Sequence, residues 1–404
     1  LLAIPSHAQF SGYFAPGEQL FEAPLSLQTL QTSMGAARWR LGPLRLAPYF
    51  ALRNLQYLDN VYGTAQGKVA DFSAAVASGL LGYVPFGRKA MLAGYGVPEY
   101  VWWRKLENRR VWNGEYGAAA LFQGSRVRFL GRLADHRRAV YPSFDLLQPI
   151  NGRESLALGE AELRVAGRFW VFAASEERRY RFRRGELPRE MGSLRELERN
   201  QRASRAGLRW RPREGVVLGA AYGKVEVTFP YATVDRGAEG SGLVVGADWE
   251  GKSVRGHVAA ERFSLEPQPG SAFPAFRGTT WRYDLGNQTD RRILWGFYGS
   301  RRLSFALAGA AYATVRREGV RLGARLAPGS TLLLFAEQGR ESWVPPTRSP
   351  VDVRAAGFQL NLPLAGELGF SLQASREVRD QNQAELSVTR LLATVRWASG
   401  QSWW

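Results

Sequence analysis

VWNGEYGAAALFQGSRVRFLGRL, residues 111–133, decides how the rest of the chain is read. Trp112, Tyr116, Ala118, Ala120 and Phe122 fall on one side of a two-residue alternation, and Asn113, Glu115, Gly117, Ala119 and Gln123 on the other. After Gly124-Ser125 the alternation resumes, with Val127, Phe129 and Leu133 set against Arg128, Arg132 and Ala134. A period of two marks a strand, and Gly-Ser between two such runs marks a hairpin. Each arm has about ten residues, the length at which a tilted strand crosses a bilayer. Aromatics at both ends of the apolar face match the girdles such strands carry at the membrane boundaries.

The same unit recurs on both sides of this hairpin. Leu44, Leu46, Pro48, Phe50 and Leu52 alternate with Arg45, Ala47, Tyr49, Ala51 and Arg53. Ala70, Phe72, Ala74 and Val76 oppose Asp71, Ser73 and Ala75, and Arg88 to Trp103 forms a third strand without an assignable facing. Further on, Ala161, Leu163 and Val165 oppose Glu160, Glu162 and Arg164, and Ala206, Leu208 and Trp210 oppose Arg205, Arg209 and Arg211. Leu243, Val245, Ala247 and Trp249 oppose Asp248 and Glu250, while Trp281, Tyr283 and Leu285 oppose Arg282 and Asp284. Val320, Leu322, Ala324 and Leu326 oppose Arg321 and Arg325, and the last strand carries Leu391, Ala393, Val395 and Trp397. Short turns tend to alternate with long polar loops: Asp135 to Glu154, Phe182 to Gln201, Phe229 to Glu239, Leu265 to Phe276 and Arg340 to Val353. Glu186 to Leu197 reads as a short helix within one of them.

The expected fold class is therefore all-β: a single closed antiparallel transmembrane β-barrel with short periplasmic turns and long extracellular loops. The tally gives about nineteen strands, and the even-number rule for bacterial barrels takes it to about eighteen (sixteen to twenty), with the doubtful strand between Thr279 and Arg302. Residues 1–8 read as a signal-peptide remnant, Ser6-His7-Ala8 fitting a small-x-small cleavage pattern before Gln9. Residues 9–42 form an N-terminal periplasmic arm or lumen insert, in which Leu25 to Thr32 is a short strand or an amphipathic turn, and 43–404 is the barrel.

Composition agrees with this reading and removes alternatives. Hydrophobic residues make up 45% of the 404, yet mean hydropathy is only -0.27. No run of eighteen apolar residues occurs, which excludes membrane-spanning helices. A barrel escapes that test because its lumen-facing set dilutes the apolar one. Cysteine is absent, so disulfides, cysteine metal sites and cysteine nucleophiles are absent as well. The formal charge is +18, and only five of the 54 basic residues are lysines. That balance points to anionic solutes or lipid headgroups, or to arginine serving wherever a solvated cation is wanted. No basic block interleaved with aromatics marks a nucleic-acid groove, so no nucleic-acid partner is expected.

The early hairpins carry a family resemblance. Tyr57-Leu58-Asp59-Asn60-Val61-Tyr62, Asp71-Phe72, Gly79-Leu80, Gly87-Arg88 and Tyr95 resemble the first hairpins of the β-barrel porin 2 family, over residues 43–137. The resemblance implies an integral outer-membrane barrel associated with exopolysaccharide or capsule gene clusters, with polysaccharide-export proteins as partners. Trp403-Trp404 is similar to the terminal aromatic by which outer-membrane barrels are recognised, implying contact of the C-terminal strand with the assembly machinery. Trp397 is the alternative closing residue.

An arginine at the bilayer midplane costs about 2–4 kcal/mol, so arginines on strand faces opposite apolar sets belong in the lumen. Arg128, Arg132, Arg164, Arg205, Arg209, Arg211, Arg282, Arg321 and Arg325 are the candidate anion-contacting residues. The competing reading is an internal ion-pair lattice with Glu160, Glu162, Asp248 and Glu250. Trp112, Tyr116, Trp210, Trp249, Trp281, Trp295 and Trp397 are the membrane-interface candidates, in contact with outer-membrane lipid. Tyr49 and Tyr312 offer flat faces for sugar rings, or pack within the wall. Catalysis has thin support: of three histidines, His7 is in the signal remnant, His136 borders a loop, and His257 shares a strand with Glu261. Asp59-Asn60 supplies too few oxygens for calcium, and no metal or cofactor is expected. The reading is a porin-like barrel passing anionic solutes or taking part in polysaccharide export. The alternative is a non-conducting scaffold or adhesin acting through its loops.

Overall fold

The computed structural model describes residues 25–398 apart from 65, 144–145, 147–148, 186–192, 252, 288–291, 308–311, 347–348 and 382–383. The signal remnant, most of the N-terminal arm and Trp403-Trp404 lie outside the described residues. One helix, α1 (Leu27–Gly35), is followed by β1 (Trp39–Leu41), β2 (Leu44–Leu58), β3 (Asp71–Phe86), β4 (Ala90–Trp103), β5 (Val111–Gln123), β6 (Val127–Val140), β7 (Ile150–Ala166), β8 (Phe169–Phe182) and β9 (Arg199–Arg213). Then come β10 (Val216–Thr228), β11 (Ala238–Glu250), β12 (Val254–Pro267), β13 (Phe276–Asn287), β14 (Ile293–Phe305), β15 (Tyr312–Ala327), β16 (Ser330–Val344), β17 (Val351–Ala365), β18 (Leu368–Gln381) and β19 (Ala384–Ala398).

Each strand from β2 onward pairs antiparallel with the next, and β19 returns to β2 with Trp397 opposite Phe50 and Leu391 opposite Tyr57. Eighteen strands, β2 to β19, thus form a closed ladder, which leaves no unpaired edge in lipid. One further short strand, β1, lies in the expected N-terminal arm, outside the sequence tally, and pairs with the start of β2, Trp39 opposite Leu46. Both strands between Thr279 and Arg302 are real, with Trp281 of β13 opposite Arg301 of β14, so the doubtful strand was misplaced there. A three-residue strand is too short to show periodicity, and β1 was hidden for that reason.

The alternation seen in residues 111–133 becomes an inside and an outside. Trp112, Phe122, Phe129 and Leu133 are exposed on the outer face, whereas Ala119, Leu121, Arg128 and Ala134 are buried on the inner one. The third strand, β4, acquires a facing: Met91, Ala93, Val97, Glu99 and Val101 are inward, and Leu92 and Trp102 outward. Between β5 and β10 the outer face is lined by small side chains, Ala120, Gly131, Ala161, Ala173, Ser175 and Ala206 among them. The wall there is shallowly concave, an open hollow of about 1110 Å³ between Phe129 and Tyr222.

At one end the strands join through two- or three-residue turns, except for five residues between β13 and β14. At the Glu214-Gly215 turn Gly215 has φ +73°, and a Cβ there would lie 2.4 Å from the Glu250 carbonyl oxygen, so glycine is required twice over. At the other end lie the long loops. They are shorter than the sequence suggests, since β6 runs to Val140 and β7 starts at Ile150, inside the expected Asp135 to Glu154 loop. Beyond the apolar band the outward face meets water, so charged residues continue the ladder. There Asp135 pairs with Arg153 at 2.7 Å and with Arg137 at 3.2 Å. Of the expected helix at Glu186 to Leu197, the described part is a single 3-10 turn, Leu194–Leu197.

Leu25 to Thr32 is neither a strand nor an isolated turn but the start of α1. Ser26 caps it, its hydroxyl accepting from the Thr29 amide at 3.0 Å. Leu27 and Leu30 are buried on one helix face against Ala51 of β2, Ala77 of β3, Val97 of β4 and Ala119 of β5. The helix therefore lies on the inner wall, towards the short-turn end.

Candidate functional site

The inner wall holds the chemistry. Near the short-turn end, β6, β7 and β9 bring four of the candidate arginines onto two carboxylates. Arg209 grips Glu160 with both terminal guanidinium nitrogens, at 3.1 and 3.2 Å, and also contacts Glu162. Arg128 lies 3.2 Å from Glu160, Arg205 lies 3.6 Å from it, and Arg211 bonds Glu162 at 2.9 Å. Arg209 is fully buried, and its guanidinium also stacks 3.9 Å over the Phe172 ring. Arg128 reaches further, to the Leu25 carbonyl at 2.8 Å, and so anchors the start of α1. Burying an arginine is tolerable only when its charge is met at short range, and a bidentate carboxylate does that.

Halfway along the wall a mixed-charge group follows. Arg205 lies among Glu160, Glu176, Glu261 and Arg178, and Arg282 among Arg205, Asp248, Glu261 and Arg178. Strands β8, β9, β11, β12 and β13 contribute to this group, in which three guanidinium groups converge. Arg321 bonds Asp284 at 3.2 Å and stacks 4.2 Å over Tyr298. Tyr298 lies flat on the wall because Gly319 leaves room for its ring; a Cβ there would be 2.4 Å from it. The Tyr298 hydroxyl donates to Glu337 at 3.1 Å.

The other predicted arginines are placed as follows. Arg132 faces inward opposite Ala119, and Arg325 faces inward opposite Thr331. Arg164 has the inward register opposite Trp170 but is exposed at the turn end, beyond the enclosed wall. Of the expected carboxylate partners, Glu160 and Glu162 are engaged, Asp248 takes His257 instead, and Glu250 is exposed at a turn.

Two inner clusters escaped the sequence reading. Arg317 meets Glu337 at 3.1 Å and Glu341 at 3.3 Å, while Arg379 meets Glu341 at 3.0 Å and Glu377 at 2.8 Å. On the other side Glu154 bonds Arg178 at 2.9 Å, and Arg178 also contacts Glu176. Following the inward parity past the apolar stretch of each strand would have found both.

Above these clusters the long loops fold inward and interlock. Leu146, Leu194, Leu197, Phe229, Phe273 and Leu307 come from five different loops and share one apolar cluster with Phe263, Phe305 and Tyr312 of the wall. Arg236 donates to the carbonyls of Glu196 and Ala306, at 2.6 and 2.7 Å, and Ser143 donates to the Phe305 carbonyl at 2.6 Å. Tyr141, just after β6, lies under the Arg390 guanidinium of β19 at 4.7 Å, so this loop spans the interior. Arg109 closes the ring, stacked on Tyr62 and Trp103 and bonded to the Pro149 carbonyl at 3.3 Å.

Other candidates are structural. Tyr49 is buried under α1 and Tyr312 within the loop cluster, so neither offers a free face to a sugar. His257 bonds Asp248 on the neighbouring strand. Asp59 accepts the Thr389 amide at 2.8 Å and Asn60 is buried with its amide on the Thr64 carbonyl at 2.8 Å, which occupies both. Among the described residues no cluster fit to hold a metal occurs. Trp210, Trp249, Trp295 and Trp397 lie on the outward register near the short-turn rim, and Trp112 is exposed near the long-loop rim. Tyr116 lies opposite Asp135, and Trp281 opposite Arg301, at the level where outward charges begin.

No family model matches the chain, and no curated protein is significantly similar to it, so the resemblance of residues 43–137 to β-barrel porin 2 proteins stands on those residues alone. Solved outer-membrane porins share the fold. Pseudomonas aeruginosa OccK2 (OpdF) in complex with glucuronate aligns with TM-score 0.54 and 10% identity over 89% of this chain and 99% of that one. A BenF-like porin from Pseudomonas fluorescens Pf-5 aligns with TM-score 0.54 and 9% identity over 89% of this chain and 100% of that one. Pseudomonas aeruginosa OpdK with vanillate aligns with TM-score 0.51 and 11% identity over 87% and 98%. The protein is an integral outer-membrane β-barrel of porin architecture.

Proposed function

We propose that this outer-membrane barrel is a porin-like channel for small anionic solutes. The observation that carries the reading is the set of three inward guanidinium groups, Arg178, Arg205 and Arg282, that β8, β9 and β13 bring together halfway along the inner wall, with Arg205 3.6 Å from Glu160 and Arg178 2.9 Å from Glu154. A carboxylate solute entering there exchanges water for guanidinium donors, and the nearby Glu261 and Asp248 keep its binding weak enough for release. Two structural neighbours were solved with carboxylate solutes, glucuronate and vanillate, which agrees with this chemistry.

The interlocked loops favour small solutes over a polymer, so polysaccharide export rests on the resemblance alone. They also count against an adhesin, because loops committed to an internal apolar cluster have little left to present outside. Planar-bilayer reversal potentials test the proposal. The wild-type barrel should prefer chloride over potassium, and Arg205→Ser with Arg282→Ser should lose that preference while still folding. A folded barrel that is silent, or that prefers cations, sinks the reading.

A further inference from the structure

The wall carries a second set of basic residues, on its outer face. Arg202, Lys224, Arg262, Arg301, Arg316 and Arg340 all have the outward register, on β9, β10, β12, β14, β15 and β16. Each stands one or two outward positions beyond the apolar band, as Arg301 does beyond Phe297 and Arg340 beyond Ala336. All lie on the long-loop side. At the short-turn rim the outward barrel positions include Trp210, Trp249, Trp295, Leu326 and Leu364, and Arg213 opposite Val216, with no row of cations on neighbouring strands among the described residues.

The register within this collar is unusual. Arg301 lies directly opposite Arg316, and Arg316 directly opposite Arg340, so three arginines stand in a row across three strands. Like charges directly opposite one another are destabilising. Local carboxylates only partly offset them: Arg316 holds Glu318 at 2.8 Å, Arg340 is 3.9 Å from Asp352 with both side chains mostly exposed, and Arg301 has no ion pair among the described residues. Trp281 lies opposite Arg301 and stacks on Tyr283, with ring centroids 5.6 Å apart. The row therefore rests on an aromatic boundary, at the depth of lipid headgroups.

We infer that Arg301, Arg316 and Arg340 form a docking surface for a phosphorylated glycolipid headgroup in the leaflet on the long-loop side. A headgroup carrying more than one phosphate matches a row of cations spaced at about 4.8 Å per strand, and guanidinium groups bind phosphate in a bidentate fashion. The absence of such a row at the other rim gives the surface its leaflet preference. The surface is on the opposite side of the wall from the lumen, so its test is independent of conductance.

The test is titration of the detergent-solubilised full chain with diphosphorylated lipid A, read by native mass spectrometry. Each basic residue next to an anionic headgroup contributes about fivefold in affinity, so Arg301→Ser, Arg316→Ser and Arg340→Ser together should weaken binding on the order of 100-fold. Lipid A stripped of its phosphates should bind the wild-type chain as weakly, which keeps the test valid if the triple variant fails to fold. Equal binding by the triple variant, equal binding of the dephosphorylated lipid, or full displacement by millimolar inorganic phosphate would each overturn the assignment.

Discussion

Arg209 of β9 and Glu160 of β7 form a bidentate ion pair, at 3.1 and 3.2 Å, on the inner wall of the barrel with a strand between them. Arg209 is completely buried, so the pair is held in a low-dielectric setting where each charge depends on the other. Removing one partner strands a buried charge, which costs about 3–5 kcal/mol. Glu160→Gln should therefore lower the unfolding free energy obtained from urea titration by an amount in that range. Glu160→Leu with Arg209→Met, which removes both charges, should recover most of the loss. Similar stability for Glu160→Gln and wild type would show that Glu162 alone carries Arg209.

Gly319 and Tyr298 set a second expectation. A methyl group on residue 319 would press on the Tyr298 ring and displace its hydroxyl from Glu337. Overpacking of this kind costs about 1–3 kcal/mol. Gly319→Ala should destabilise by that much, and Gly319→Ala with Tyr298→Leu should destabilise less than Tyr298→Leu and Gly319→Ala summed.

The interior loop contact predicts a change in conductance with little change in stability. Tyr141 and Arg390 form a cation–aromatic contact across the lumen, worth no more than about 2 kcal/mol. Tyr141→Ala should leave the thermal unfolding temperature nearly unchanged and raise single-channel conductance. Unchanged conductance would mean that the narrowest point lies elsewhere.

Depth on the outer wall is testable along a single strand. Leu334 and Gln338 of β16 both face outward, Leu334 within the apolar band and Gln338 next to Arg340. Arginine on the lipid face costs about 2–4 kcal/mol at the midplane and about 0–1 kcal/mol near the interface. Leu334→Arg should thus be costly and Gln338→Arg nearly neutral, as read by folding titrations into lipid vesicles. Equal costs at both positions would mean that the band's outer edge does not lie between them.

Much of the barrel was legible because a membrane imposes a binary rule on every second residue. In the stretch from Val111 to Leu133 the apolar side chains are outside and Arg128 and Arg132 are inside, as the alternation requires. The rule weakens where lipid ends. Arg137, Arg153 and Arg301 are outward although charged, because they stand beyond the apolar band, and residue order does not carry a depth coordinate. Ion pairing was legible where partners occur on adjacent runs, as Glu160 and Glu162 with Arg209 and Arg211. It was not legible for Arg317, Glu341 and Arg379, which meet only because β15, β16 and β18 curve around one interior. α1 was missed because its apolar positions, Leu27 and Leu30, fit a helix and a short extended segment equally well over so few residues.

The seam between β19 and β2 has a consequence for the order of events in the cell. Its two sides, such as Leu391 and Tyr57, are separated by nearly the whole length of the chain, so they meet only after every intervening hairpin has been synthesised and laid down. Until then the sheet carries two raw flanks that hydrocarbon cannot satisfy. A chain interrupted anywhere before the final strand would keep those flanks open to hydrocarbon instead of closing as a smaller ring.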